Sequence, residues 1–302
     1  MDWRASKAHK AAFYRLPPRI HGQPEASVLA DYWDAKLGEP RQQALQRWLD
    51  EGIYRRCNIL ETLAMTLTVV GLKAMLKERG LKVSGKKSDL LDRLSAAEPA
   101  QLEAFAQDHP VWLLTDAALK LRDDFRSEFA HEQALAEEEA RKSLEAGEIE
   151  GACKVWQRYD AEQVFSAAEG TIGFSGSAEL AAVRHEEIKT IFVIGPKEVA
   201  IELAVEILFG GGPRTKETRL LYTRMAFERD MERWSEHPLV IGVEIKRSSI
   251  LGGCEACNEI VGCWRKDSVP MVPNKNCRNE NGCRCYWQTI FEGEEPTSPW
   301  RA

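Results

Sequence analysis

The sequence predicts a mainly α-helical, multi-domain protein that ends in a small α+β cysteine unit. Three observations predict it. Apolar residues recur at the three- and four-residue spacing of amphipathic helices through most of the chain. Gly and Pro cut that pattern into short pieces, as in Gly38–Pro40, Glu98-Pro99, His109-Pro110 and Gly210–Pro213. Six of the eight cysteines crowd behind one β-branched run, Leu239 to Lys246, which is the clearest strand in the chain. The 302 residues have room for two or three compact units. Read in segments, they give a helical lead-in (1–60), a helical hairpin (61–98), a helical region (99–170), a helical linker or packing region (171–236), the cysteine unit (237–295) and a tail (296–302).

Composition narrows the functional classes. A hydrophobic fraction of 44% and nine tryptophans exclude wholesale disorder. A net charge of −6 excludes a general polyanion binder, so any nucleic-acid contact must sit on a local basic patch. No run of eighteen apolar residues exists to span a membrane. The basic start MDWRASKAHKAAFYRLPPRI lacks a signal-peptide core, and a cytoplasmic protein is expected.

Within 1–60, Pro17-Pro18 and Pro24 precede a helical stretch from Ser27 to Leu49, which Gly38 and Pro40 split in two. Arg4, Lys7, Lys10, Arg15 and Arg19 either extend a nucleic-acid footprint or form a solvated terminus, the simpler reading.

Residues 67–94, LTVVGLKAMLKERGLKVSGKKSDLLDRL, read as two short helices and a loop. Thr68 can cap the first helix, whose apolar face is Val69, Leu72, Met75 and Leu76. Gly80 stops that helix, because a residue without Cβ adopts the left-handed conformation at no steric cost. Ser84-Gly85 makes the turn. The second helix buries Leu90, Leu91 and Leu94 and exposes Asp89 and Asp92. Seven cations (Lys73, Lys77, Arg79, Lys82, Lys86, Lys87, Arg93) stand against Glu78, Asp89 and Asp92, so seven minus three leaves +4 on an acidic chain. On these residues the segment 66–94 resembles a SAP domain, a helix–extended loop–helix module that binds double-stranded DNA. The resemblance implies phosphate contacts from Lys73, Lys77, Lys82, Lys86, Lys87 and Arg93 around a loop shaped by Ser84 and Gly85. The competing reading is a helical hairpin with a solvated basic edge.

Beyond it, a helix is expected over 100–107, then the apolar run Val111–Thr115, with Thr115 or Asp116 capping the next helix. From there to Glu169 the pattern is helical. Leu144 to Gly147 ends one helix, and Ala152, Val155, Trp156 and Tyr159 mark the face of another. This hairpin is reminiscent of a single tetratricopeptide-like unit; it offers a candidate surface for a protein partner, with plain helical packing the simpler reading. Gly170 to Ser177 is a joint, Ala178–His185 is helical, and Ile188–Ile194 suits strand or helix. Glu198–Phe209 and Lys216–Trp234 are amphipathic helices. The glycines at 210–212 follow a helix rather than precede one, so they read as a stop and not a phosphate loop.

Cys254-x-x-Cys257 has the spacing of a metal knuckle, and Cys277, Cys283 and Cys285 follow. Cys254, Cys257 and Cys277 with either Cys283 or Cys285 make a four-thiolate site for a structural Zn²⁺, with Cys263 a spare candidate. The blocks GGCEACNEIVGCW, VPMVPNKNC and NGCRCYW, within 238–291, resemble the C-terminal cysteine motif of phage head morphogenesis proteins and related prophage-encoded proteins. That resemblance implies a phage or mobile-element origin. One enzymatic pattern stands beside it: Glu244-Ile245-Lys246 at a strand end is half of a metal-dependent nuclease site. Strand alternation explains it equally, with Val243 and Ile245 toward a core and Glu244 and Lys246 toward water. The six histidines form no legible Cys–His or Ser–His–Asp pattern. The sequence thus points to a duplex-DNA-binding protein with structural zinc. The alternatives are a nuclease using Glu244 and Lys246, or a morphogenesis-like structural protein.

Overall fold

The computed structural model describes residues 2–22, 29–167, 169, 171, 174–210, 212–248 and 254–301. It is mostly helical with two small sheets. The chain divides into two compact units, Met1–His131 and Glu132–Ala302. No single helix among the described residues is long and apolar enough to cross a membrane.

In order, the first unit contains a 3-10 turn (Trp3–Ala5), α1 (Lys7–Tyr14), β1 (Arg19–His21), α2 (Trp33–Leu37) and α3 (Arg41–Asp50). There follow β2 (Tyr54–Arg56), α4 (Ile59–Thr66), α5 (Val69–Glu78), α6 (Lys87–Ala97), α7 (Pro99–Asp108) and β3 (Val111–Leu114). The first half of α8 (Asp116–Glu145) completes it, with Thr115 Oγ1 accepting from the Ala118 N–H at its start. The helix split at Gly38 is present, and that glycine takes the left-handed C-cap at φ 71°.

An all-helical lead-in is not what forms. β3 sits between β1 and β2 in an antiparallel sheet, pairing Ile20 with Trp112 and Arg55 with Leu113. Strands of three and four residues are too short for alternation to register in sequence. The lead-in's core is aromatic, with Trp3, Phe13, Trp48 and Phe125 packed edge-on or tilted at centroid distances of 5.1–6.0 Å. Arg4 bonds Glu51 at 2.7 Å and Lys10 bonds Glu128, so these two basic residues serve internal pairs.

The second unit takes the remainder of α8, then α9 (Ile149–Ala161), α10 (Ser177–Ile194), α11 (Lys197–Leu208) and α12 (Lys216–Glu236). Residues 188–194 resolve as helix. Gly147, at φ 81°, breaks α8 from α9. The apolar face marked by Ala152, Val155 and Trp156 packs, as the plainer reading expects, with Ala140, Leu144, Leu180, Ile188, Ala204 and Leu208. Asp160, also buried, accepts from the Ala167 N–H and the Ser177 hydroxyl, both at 2.6 Å, and so fastens the start of α10. The expected joint at 170–177 lies partly outside the described residues.

The C-terminal sheet combines β4 (Val240–Arg247), β5 (Gly262–Arg265), β6 (Cys285–Phe291) and β7 (Trp300–Arg301) in the order β6-β4-β5-β7, with α13 (Glu255–Asn258) between β4 and β5. β4 is antiparallel to β5 and β6, and β5 is parallel to β7. Phe227 and Trp234 of α12 join Val243, Ile245, Ile260 and Val272 in one core, although the sequence suggests a break at 236/237. Trp287 Nε1 donates to Asp230 on α12 at 2.9 Å. Gly242 lets the strands approach closely, because a Cβ there would lie 2.4 Å from the Trp264 carbonyl oxygen and 2.4 Å from the Trp300 ring. Gly242→Ala is expected to cost about 1–3 kcal/mol, measured by denaturant unfolding.

Candidate nucleic-acid interface and metal centre

α5 and α6 pack through Leu72, Leu76, Leu90, Leu91 and Leu94, and α4 and α7 close the same core with Leu63 and Leu102. Thr68 Oγ1 accepts from the Gly71 N–H at 3.1 Å, the cap its position implies. Gly80 is left-handed at φ 66°. Val69 does not join the apolar face; as the first residue of α5 it is solvent-exposed, as is Val70. At the second turn Gly85 adopts φ 131° and lies against Asp89, whose carboxylate accepts from the Lys86 N–H at 3.0 Å.

The predicted contacts separate into two sets. Lys73, Lys77, Lys82 and Lys86 are exposed, and no ion pair engages their ammonium groups among the described residues. Lys87 instead donates to the Ala64 carbonyl in the last turn of α4, where a cation meets the negative helix end. Arg93 donates to the Lys82 and Ser84 carbonyls and clamps the loop from behind. Arg79 bonds Glu98 at 2.6 Å, pinning the end of α5 to the start of α7. Lys87, Arg93 and Arg79 thus have partners within the fold. Sequence spacing does not separate them from the four free lysines, because the partners are backbone carbonyls and a distant acid.

The second constellation is the cysteine cluster. Cys254 starts α13 and Cys257 lies within it, so one helical turn brings their sulfurs to 3.2 Å. Cys277 Sγ is 3.7 Å from Cys254 Sγ and 4.0 Å from Cys257 Sγ. Cys257 also groups with Cys283 and Cys285, and in each of these two triads the sulfurs lie within 4.8 Å of one another. Cys257 belongs to both triads, and these five cysteines can hold a metal ion. Cys263, the spare candidate, belongs to neither group; it is buried on β5 and receives the Ser298 hydroxyl at 3.3 Å. Asn274, which the sequence does not single out, organises the pocket. Its Nδ2 donates to Ala256 O at 2.8 Å and its main-chain carbonyl accepts from the Cys277 N–H at 2.9 Å.

Burial, and the hydrogen bond it donates to Cys254, push the Cys257 thiol up, and the hydrogen bond to Cys283 with burial does the same to Cys285. Cys283 moves down because Cys285 donates to it. At Cys254 burial opposes ionisation, but hydrogen bonds from the Arg278 N–H and from Cys257 outweigh it. The sulfurs are thus close enough to hydrogen-bond one another through thiol protons. A divalent ion would displace them and take thiolates as ligands.

The nuclease candidates meet differently. Val243 and Ile245 face the core as alternation requires, but Glu244 is buried rather than solvated. Its Oε2 pairs with Lys246 at 2.9 Å and its Oε1 accepts from Thr297. Both oxygens are thus engaged, and among the described residues Glu244 joins no metal-binding group. Burial would raise the Glu244 carboxyl, but the Lys246 and Thr297 hydrogen bonds prevail and hold it below the ordinary range. A depressed folded-state pKa adds stability above the unfolded value, and that stability is lost as pH falls through the folded one. Glu244→Gln should therefore lower the melting temperature at pH 7 by about 2–4 °C, with the difference vanishing in strong acid.

One triad-like set escaped sequence reading. His9 Nδ1 meets Ser6 Oγ at 2.9 Å and Nε2 meets Glu39 at 2.7 Å, while Arg47 bonds the same carboxylate. Ser6 caps α1, so the hydroxyl is used to start a helix.

Searches of curated proteins and of solved structures return no match to the chain. Residues 64–98, the hairpin together with the end of α4, match the SAP domain, which points to nucleic-acid binding by this segment.

Proposed function

We propose that this protein binds duplex DNA through residues 64–98 and uses its C-terminal cysteine cluster to hold a structural Zn²⁺. The observation that carries the first part is the set of four exposed lysines on α5 and the turn that leads into α6. Lys82 and Lys86 flank the turn, and Lys73 and Lys77 lie one helical turn apart on α5. The opening N–H groups of α6 follow Lys86 directly in the chain. A helix N-terminus next to mobile ammonium groups suits a phosphate backbone, and such contacts position a duplex without reading its sequence. The five clustered sulfurs support zinc, which prefers thiolates, and a set filled by thiolates leaves no open position for catalysis. Free thiols in such number suit a reducing, cytoplasmic setting. The order of strand, CxxC, proline-containing stretch and Cys-Arg-Cys supports an origin in a phage or other mobile element.

The test is fluorescence anisotropy of the full chain with a labelled 20-base-pair duplex at two salt concentrations. Affinity that falls steeply with salt is expected. Absence of binding at low salt would refute the hairpin as a DNA site, and metal analysis of the same sample tests the zinc.

A further inference from the structure

Beside the cysteine cluster lies a cleft of about 340 Å³, lined by Arg219, Tyr222 and Thr223 from α12 and by Asn281, Cys283 and Arg284. That volume is within the usual range of ligand clefts, about 300–1,000 Å³. Its lining contains two guanidinium groups and no carboxylate. Arg219 is held in a fixed direction, with Nε donating to Pro213 O at 3.0 Å and Nη1 to Asn281 O at 3.2 Å. The approach depends on Gly282, at φ +82°, where a Cβ would sit 2.6 Å from Arg219 Cβ. Arg284 Nε is buried and reaches no hydrogen-bond acceptor among the described residues.

A buried donor without an acceptor is costly, and more so on a charged group. Two guanidinium groups in one cleft also repel each other unless an anion lies between them. Phosphate relieves that repulsion: its oxygens match the outer nitrogens of a guanidinium fork, the Tyr222 hydroxyl on the lining can add a donor, and the anion offsets the cost of the charge that Arg284 carries beside its buried Nε. We propose that this cleft is a phosphate-recognition site separate from the hairpin, taking either a nucleic-acid phosphodiester or a small free phosphate.

The experiment is calorimetric titration of the full chain with inorganic phosphate at constant ionic strength. Saturable binding is expected, weakened at least tenfold in Arg284→Gln and in Arg219→Lys, and a few-fold in Tyr222→Phe, with metal content unchanged. A 12-base-pair duplex, titrated into a chain whose Lys73, Lys77, Lys82 and Lys86 are replaced by Gln, identifies the source. Competition with phosphate assigns the site to nucleic acid, and phosphate binding without competition assigns it to a small phosphate. Should Arg284→Gln shed metal, the Arg219→Lys and Tyr222→Phe variants decide, because both leave the Cys283–Cys285 segment intact. No saturable binding of either probe, undiminished binding in these variants, or acetate bound as tightly as phosphate overturns the proposal.

Discussion

Cys257→Ser is expected to abolish metal binding and unfold the C-terminal unit around it, while the 1–131 unit stays folded. Cys257 is the residue common to both sulfur triads, so its loss leaves no complete set. Residues 266–284 contain no helix or strand, and Val272 is their one fully buried aliphatic side chain. Ordering a backbone costs about 1–2 kcal/mol per residue, so one buried valine, worth about 2 kcal/mol, offsets one or two positions. A structural zinc supplies about 10 kcal/mol or more in small domains and is the adequate source. Metal analysis by mass spectrometry with limited proteolysis checks this. The wild-type chain should carry one zinc and resist cleavage between 254 and 285; the variant should carry none and be cut there. A strong chelator should reproduce the effect, and Cys263→Ser should retain the metal. Metal retained in Cys257→Ser, or protease resistance without metal, would refute the structural role.

The parts of this fold that sequence made legible are those where one residue type has one physical use. Gly80 and Gly147 end helices because they sit at positive φ, Thr68 and Thr115 cap because a hydroxyl precedes an apolar period, and Cys254 and Cys257 converge because a helical turn separates them. The rest depended on groups far apart in the chain. The sheet around β3 joins residues about 90 positions apart, through strands too short to show a period. Glu244 looked solvated because alternation says which face a side chain takes, not whether Thr297 covers that face. Lys87 and Arg93 read like the other cations because charge is visible in sequence and the carbonyls they bond are not. The same blindness hid Arg284, which as one residue of Cys-Arg-Cys carries no sign of its unpaired Nε.

That division of the basic residues gives the sharpest test of the hairpin. Lys82→Gln with Lys86→Gln should weaken duplex binding by about ten- to a hundredfold near 50 mM salt and leave the melting temperature unchanged, since both side chains are exposed and unpaired. Each lost phosphate contact should also reduce the slope of log affinity against log salt by about 0.9, hence by about 2 for the pair. Lys87→Gln should behave oppositely, because it removes the ammonium that satisfies the Ala64 carbonyl. Its melting temperature should fall while the salt slope stays near the wild-type value. Anisotropy titrations at four salt concentrations, with thermal melts of the same preparations, separate the two patterns. If the double variant kept full affinity at low salt, duplex binding would have to reside elsewhere. If Lys87→Gln changed the slope as much as Lys82→Gln with Lys86→Gln, the carbonyl contact would be a resting position that phosphate displaces. The interface would then extend along the start of α6.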